Sequence, residues 1–355
     1  MAVSGKGPGF DHVRLAAASV VLLHHCWLTE HDIRDPLFLY SGGFVHFGLF
    51  AVLIFFSLSG FLVAPGLVRT GNVVPYAINR ALRIFPALAA VVIATMLLVG
   101  PALTSLSWHD YFTDREFWLY AKNILTSTYD YLPGVTARSG RPVVVNGALW
   151  TLHFEVLAYA ALALMSVAGV LGRRAVFLAV LALCYALYLL IGFGHPIAQA
   201  LPGRFTTFIN LFTYFAVGSG FFLLRDRVPF SGVLAGASVA VMLAAFPLGL
   251  GPVLLPVCLP YTVIFVGLSS LAEGLPLRRD ISYGVYLIHA PVIAVLVAVL
   301  PQSTRWWLLA LLAAAATAAS AYCCRLLVEE PALRRKKSLS YWAQTGSAPW
   351  RQARP

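Results

Sequence analysis

The sequence predicts an all-α integral membrane protein of about ten transmembrane helices, with both termini cytoplasmic and one long outer loop. Three observations predict this fold class. Of 355 residues, 60% are apolar and only 11% charged, whereas an ordinary globular chain carries about a quarter charged residues. The mean hydropathy is +0.81. The apolar residues come in long runs parted by short charged loops, and a helix needs about 17–25 such residues to cross the hydrocarbon.

The runs follow in order. Val13–Leu28 has Lys6 and Arg14 ahead of its apolar stretch as a signal peptide would, but it ends His24-His25-Cys26-Trp27 with no small-x-small cleavage pattern, so it counts as a span. Phe44–Val68 and Ile84–Val99 are next, parted by Arg69, Arg80 and Arg83. Ala148–Leu171, Ala175–Phe193 and Phe205–Leu224 are parted by Arg173-Arg174 and by Arg204. Val233–Leu250 and Val253–Leu271 follow Arg225 and Arg227. Ile281–Leu300 and Trp306–Val328 close the set, flanked by Arg278-Arg279 and Arg305.

Charge sets the orientation. With the N-terminus in the cytoplasm, the inner connections hold Arg69, Arg80, Arg83, Arg173, Arg174, Arg225, Arg227, Arg278 and Arg279, and the tail adds Arg334, Arg335, Lys336 and Lys337. The outer connections hold Arg34, Arg115, Lys122, Arg138, Arg141, Arg204 and Arg305, most of them in one long loop. Long loops weigh less in the positive-inside rule. The organisation is a single transmembrane domain over residues 1–335, its outer loop at about 100–147, and a basic, disordered cytoplasmic tail over 336–355. Trp108, Tyr111, Phe112, Phe117, Trp118 and Tyr120 suit a loop helix lying on the interface.

The net charge of +11 is spread in small clusters between apolar runs. That pattern serves orientation in the bilayer and excludes a nucleic-acid groove. The five cysteines lie in or beside apolar runs without CxxC spacing, so neither a disulfide framework nor a metal site is expected.

Ionisable residues inside hydrocarbon are costly and mark function by default. Of the fourteen acids, Glu155 alone lies well inside a span. Arg14 and His25 stand eleven residues apart, almost three helical turns, so they share one face about 16 Å apart along the axis. His24 points about 100° away. His25 lies about 18 Å from the inner end of the first span and Glu155 about 10 Å from the outer end of the fourth, nearly one level in hydrocarbon ~30 Å thick. A carboxylate beside an imidazole fixes its tautomer and stabilises the imidazolium, as a general base for a hydroxyl requires. Arg80 and Arg83 place two guanidiniums on one side of the third span's inner mouth, a pattern that serves phosphate binding or topological anchoring alike. Ser282, Tyr286 and His289, at i, i+4 and i+7, form a polar stripe that suits either a site or helix packing.

Five stretches in this order resemble the acyltransferase 3 family: Phe10-Asp11-His12-Val13-Arg14 running to His25; Phe55-Phe56-Ser57-Leu58-Ser59-Gly60-Phe61-Leu62-Val63; Arg80-Ala81-Leu82-Arg83-Ile84-Phe85-Pro86; Leu149-Trp150-Thr151-Leu152-His153-Phe154-Glu155; and Ser282-Tyr283 through His289. Glu329-Glu330-Pro331 resembles the family's Glu-x-Pro ending, and Thr151 stands where Ser is common. The resemblance implies ten helices in a bacterial inner membrane. It also implies transfer of an acyl group, acetyl first among them, from acyl-CoA to a glycan or lipid-linked sugar. No permanently bound cofactor is implied. On this reading His25 and Glu155 are catalytic, Arg14, Arg80 and Arg83 hold the donor phosphates, and Trp150, Thr151, Ser282, Tyr286 and His289 support the site or the acceptor. Direct transfer and an acyl-imidazole intermediate fit the residues equally. The alternative is a proton-coupled transporter or flippase using the same buried His, Glu and Arg residues.

Overall fold

A computed structural model describes residues 7–136, 142–270 and 279–345. Lys6, Arg138, Arg141 and Arg278, which enter the charge pattern, and the tail from residue 346 lie outside the described residues. Among the described residues every regular element is helical, and the β pairing is limited to two isolated bridges, Thr104 with Val135 and Thr136 with Pro142.

Each of the ten expected segments is a helix: α1 Phe10–Trp27, α2 Phe47–Thr70, α3 Val73–Ala94, α4 Trp150–Val167, α5 Arg174–Gly192, α6 Gly203–Leu223, α7 Gly232–Ala245, α8 Gly251–Leu268, α9 Ser282–Val299 and α10 Trp306–Cys324. Eight stretches among the described residues are long and apolar enough to cross a membrane. They hold every helix except α1 and α7. α3 runs on through a π-helical turn, Thr95–Val99, and α10 through another, Arg325–Glu329. α1 has the length, 18 residues, but Asp11, His12, Arg14, His24 and His25 dilute its apolar surface. α7 has only 14 residues, about 21 Å of helix.

The helices cluster into two compact units, neither continuous in sequence. The first comprises Met1–His24, His31–Gly71 and Phe154–Asp280. Its centre is the crossing of α2 and α6, where glycines bring backbones together. A side chain on Gly60 would collide with the Phe215 carbonyl, and one on Gly218 with the Ser57 carbonyl. Such close approach supplies the van der Waals contact that holds membrane helices where hydrocarbon gives no hydrophobic drive. Ser219 adds a hydrogen bond, donating to the Gly60 carbonyl at 3.0 Å. α5 and α8 pack on α6, and α7 on α8.

The second unit comprises His25–Glu30, Asn72–His153 and Ile281–Pro355. α9 packs along α10 and also meets α3. The aromatic loop segment folds as two short helices, Trp108–Thr113 and Arg115–Ala121. Tyr111, Phe112 and Phe117 stack edge to face there, and the Tyr111 hydroxyl donates to the Met96 carbonyl at 2.8 Å. Trp108 and Trp118 remain exposed, as an interfacial anchor needs. The expected disordered tail instead opens with a helix, Lys336–Thr345. It packs on α3, and that contact ties down a segment which composition alone would leave loose.

Candidate active site

His25 sits in the last turn of α1, half buried. Its Nδ1 lies 3.3 Å from Nε2 of His289, and the two rings meet edge to face with centroids 4.8 Å apart. His289 is fully buried on α9, and its Nδ1 donates to the Val285 carbonyl at 3.1 Å. The expected stripe is present: Ser282, Tyr286 and His289 are all buried. Tyr286 donates to the Ala148 carbonyl at 2.9 Å and receives the Thr151 hydroxyl at 2.5 Å. The stripe is thereby fastened to the start of α4, where Trp150 is half buried. Asn146 reinforces the join by donating to the Leu287 carbonyl at 2.9 Å. No motif singled out Asn146; its one signal is an amide placed immediately before an apolar span.

His25 also lines a cavity of about 860 Å³. Its walls are apolar for the most part, from Leu103, Val135, Val143, Ile293 and Val297, with Thr29, Thr136 and Gln302 as polar groups. His25 therefore both meets a buried ring and lines a substrate-sized space.

Glu155, in the second turn of α4, is half buried. Its Oε1 accepts from the Ser59 hydroxyl at 3.1 Å and the Tyr159 hydroxyl at 2.5 Å. Its Oε2 accepts no hydrogen bond among the described residues. Ser59 belongs to the Ser57-Leu58-Ser59-Gly60 stretch, so that motif supplies both the glycine crossing and a hydroxyl for the buried acid.

The three expected donor-binding arginines differ in their surroundings. Arg14 meets Asp11 at 3.1 Å and Asp280 at 3.5 Å. Arg83 donates through Nη1 to Oε2 of Glu329 at 2.8 Å, and Arg325 donates to the same oxygen at 3.0 Å. Glu329 is 2% exposed, and the Arg83 guanidinium lies over the Tyr283 ring at 5.3 Å. Arg80 is half buried one turn earlier on α3. Sequence reasoning missed Arg325 and the role of Glu329. Both lie in the π-helical turn that ends the last apolar run, where Glu329 was legible only as part of the Glu-x-Pro ending.

A second histidine cluster lies one residue before His25. His24 and Asp35 are buried and 3.1 Å apart, and the His24 ring stacks on His46 with centroids 4.5 Å apart. Donor atoms of all three lie within 4.8 Å of one another, a spacing a metal ion could use. The capping bonds argue for another role. His46 Nδ1 accepts the Leu49 N–H at 3.2 Å, so in the neutral ring Nε2 carries the hydrogen and neither nitrogen is left for a metal. Asp35 accepts the Phe38 N–H at 2.8 Å and the Phe47 N–H at 2.7 Å. Asp35 and His46 thus cap the short helix Pro36–Tyr40 and α2, and His24 packs against both caps.

Three comparisons bear on these residues. The profile of a family described as an acyltransferase domain matches residues 8–325. An O-acetyl transferase of Shigella phage Sf6 is 31% identical over 314 residues, covering 83% of this chain and 87% of the phage protein. Nodulation protein 10 of Rhizobium leguminosarum bv. viciae is 29% identical over 319 residues, covering 83% and 85%. No solved structure matches the chain.

Proposed function

The chain belongs to the acyltransferase 3 family, and on that premise we propose that it is a ten-span protein of the bacterial inner membrane that moves an acyl group from acyl-CoA to a hydroxyl of a glycan or lipid-linked saccharide. The name of the phage relative favours acetyl as the group transferred. The observation that carries the reading is His25, which lines a cavity of about 860 Å³ and whose Nδ1 meets Nε2 of His289.

In the proposed step His25 takes the proton of the acceptor hydroxyl as the oxygen attacks the thioester carbonyl. The tetrahedral intermediate collapses with cleavage of the C–S bond. The CoA thiolate leaves and takes the proton back from the imidazolium, so the products are the O-acyl ester and CoA. Arg14, Arg80 and Arg83 hold the donor phosphates at the cytoplasmic side. The acidic partners of Arg14 and Arg83 keep each guanidinium oriented before the donor arrives. Glu155 contributes Oε2 as a proton-accepting oxygen, its Oε1 already being held by two hydroxyls.

The test is direct. Purified protein in detergent is incubated with radiolabelled acetyl-CoA and a panel of glycans and lipid-linked sugars. A labelled ester is the expected product. Absence of product across several acyl donors and acceptors, with proton-linked substrate flux in reconstituted vesicles, would favour the transporter reading instead.

A further inference from the structure

We propose that His289 is a positioning residue that fixes the tautomer of His25 and makes Nε2 its proton-accepting nitrogen. The inference rests on the reading of His25 as the base, and it follows from a chain of three polar groups. The Val285 carbonyl can only accept, so His289 Nδ1 carries a hydrogen. The His289 ring is 0% exposed, and no acid bonds to it among the described residues. A buried cation without a paired anion is costly, so the ring is neutral and its Nε2 bears a lone pair. The neighbouring atom at 3.3 Å, His25 Nδ1, must then be the donor. Nε2 of His25 is left as the basic nitrogen.

The relay therefore runs His25 Nδ1–H to His289 Nε2, and His289 Nδ1–H to the Val285 carbonyl. It resembles the acid–histidine pair of a catalytic triad, with a neutral imidazole in the acid's place. When His25 gains the acceptor's proton on Nε2, its Nδ1–H bond to His289 becomes charge-assisted and strengthens. Stabilisation thus appears where the charge develops, which speeds the step rather than the binding of either substrate. The orienting part expected of Glu155 falls to His289 on this account. The i, i+4, i+7 spacing of the stripe gives the relay its fixed end, because Tyr286, tied to Ala148 and Thr151, locks the turn beneath His289.

The test reads the tautomer without needing substrate. Protein labelled with ¹⁵N-histidine is examined by NMR in detergent, and the His25→Ala spectrum identifies the His25 signals by difference. The parent should show His25 protonated at Nδ1 and not at Nε2. In His289→Leu the population should move toward the Nε2–H form, and kcat should fall about tenfold or more while the donor KM stays near the parent's. His289→Gln, whose side-chain carbonyl can accept from His25 Nδ1–H, should recover most of both. A parent His25 without hydrogen at Nδ1, or a folded His289→Leu with unchanged tautomer and kcat, would overturn the proposal. An inactive parent that still shows Nδ1–H would sink the enzyme reading and leave the relay standing. Should His289→Leu fail to fold, the parent spectrum and the Gln variant decide.

Discussion

Replacing Arg83 by Ala removes one of the two guanidiniums that converge on Oε2 of Glu329, and the structure sets the size of the effect. The bond is 2.8 Å, with side-chain exposures of 22% for Arg83 and 3% for Glu329, so water screens it little. Stranding a buried charge outright costs about 3–5 kcal/mol. Arg325 still holds the same oxygen at 3.0 Å, which brings the expected loss down to the ~1.5–3 kcal/mol of one charge-assisted hydrogen bond. If Arg83 also binds a donor phosphate, the variant loses a second contact of similar worth, and the donor KM rises about tenfold to a hundredfold. A double-mutant cycle separates the two effects. Glu329→Gln in the Arg83→Ala background removes the carboxylate charge that Arg325 alone is left to balance and should restore part of the lost stability, followed by thermal melting in detergent. It cannot restore a phosphate contact, so donor affinity by calorimetry should stay weak. Recovery of donor affinity together with stability would refute the donor role and leave Arg83 as a structural partner of Glu329.

Two further substitutions test the division of labour around the first helix and the buried acid. His24→Ala should lower thermal stability by about 1–3 kcal/mol, because Asp35 loses a buried partner, yet turnover per folded molecule should stay close to the parent's; a loss of turnover as complete as that of His25→Ala in a well-folded sample would contradict the separate roles. Glu155→Gln keeps an oxygen for Ser59 and Tyr159 but removes the charge, so donor affinity should hold while product formation slows by about 10²–10⁴-fold, the usual worth of a proton-accepting group; product at the parent's rate would remove Glu155 from the mechanism.

Helix positions were legible in the sequence because hydropathy and length decide them locally. All ten expected segments are helices, and the two that miss the apolar criterion do so through visible features: the polar residues of α1 and the brevity of α7. Facing was legible too. Spacing alone distinguished His25 from His24, and the structure puts them in different company, His25 against His289 and His24 against Asp35 and His46. Neighbours were not legible, since the period of a helix fixes a side chain's direction and depth but not the helix it meets. The stripe Ser282, Tyr286, His289 was visible, whereas its tie to His25 and Thr151 was not. Glu329 and Arg325 escaped for a related reason. They sit in a π-helical turn, and its extra residue breaks the spacing rule on which a facing argument depends.

The account depends most on His25 as the group that activates the acceptor hydroxyl. The decisive measurement is the rate of labelled ester formation by His25→Ala and parent protein at saturating acetyl-CoA, with donor binding measured by calorimetry on the same samples. Removing a general base typically costs about 10²–10⁴-fold. The account predicts a loss of that size or complete loss, with donor affinity near the parent's. A folded His25→Ala protein that binds acetyl-CoA and forms ester at the parent's rate would contradict it.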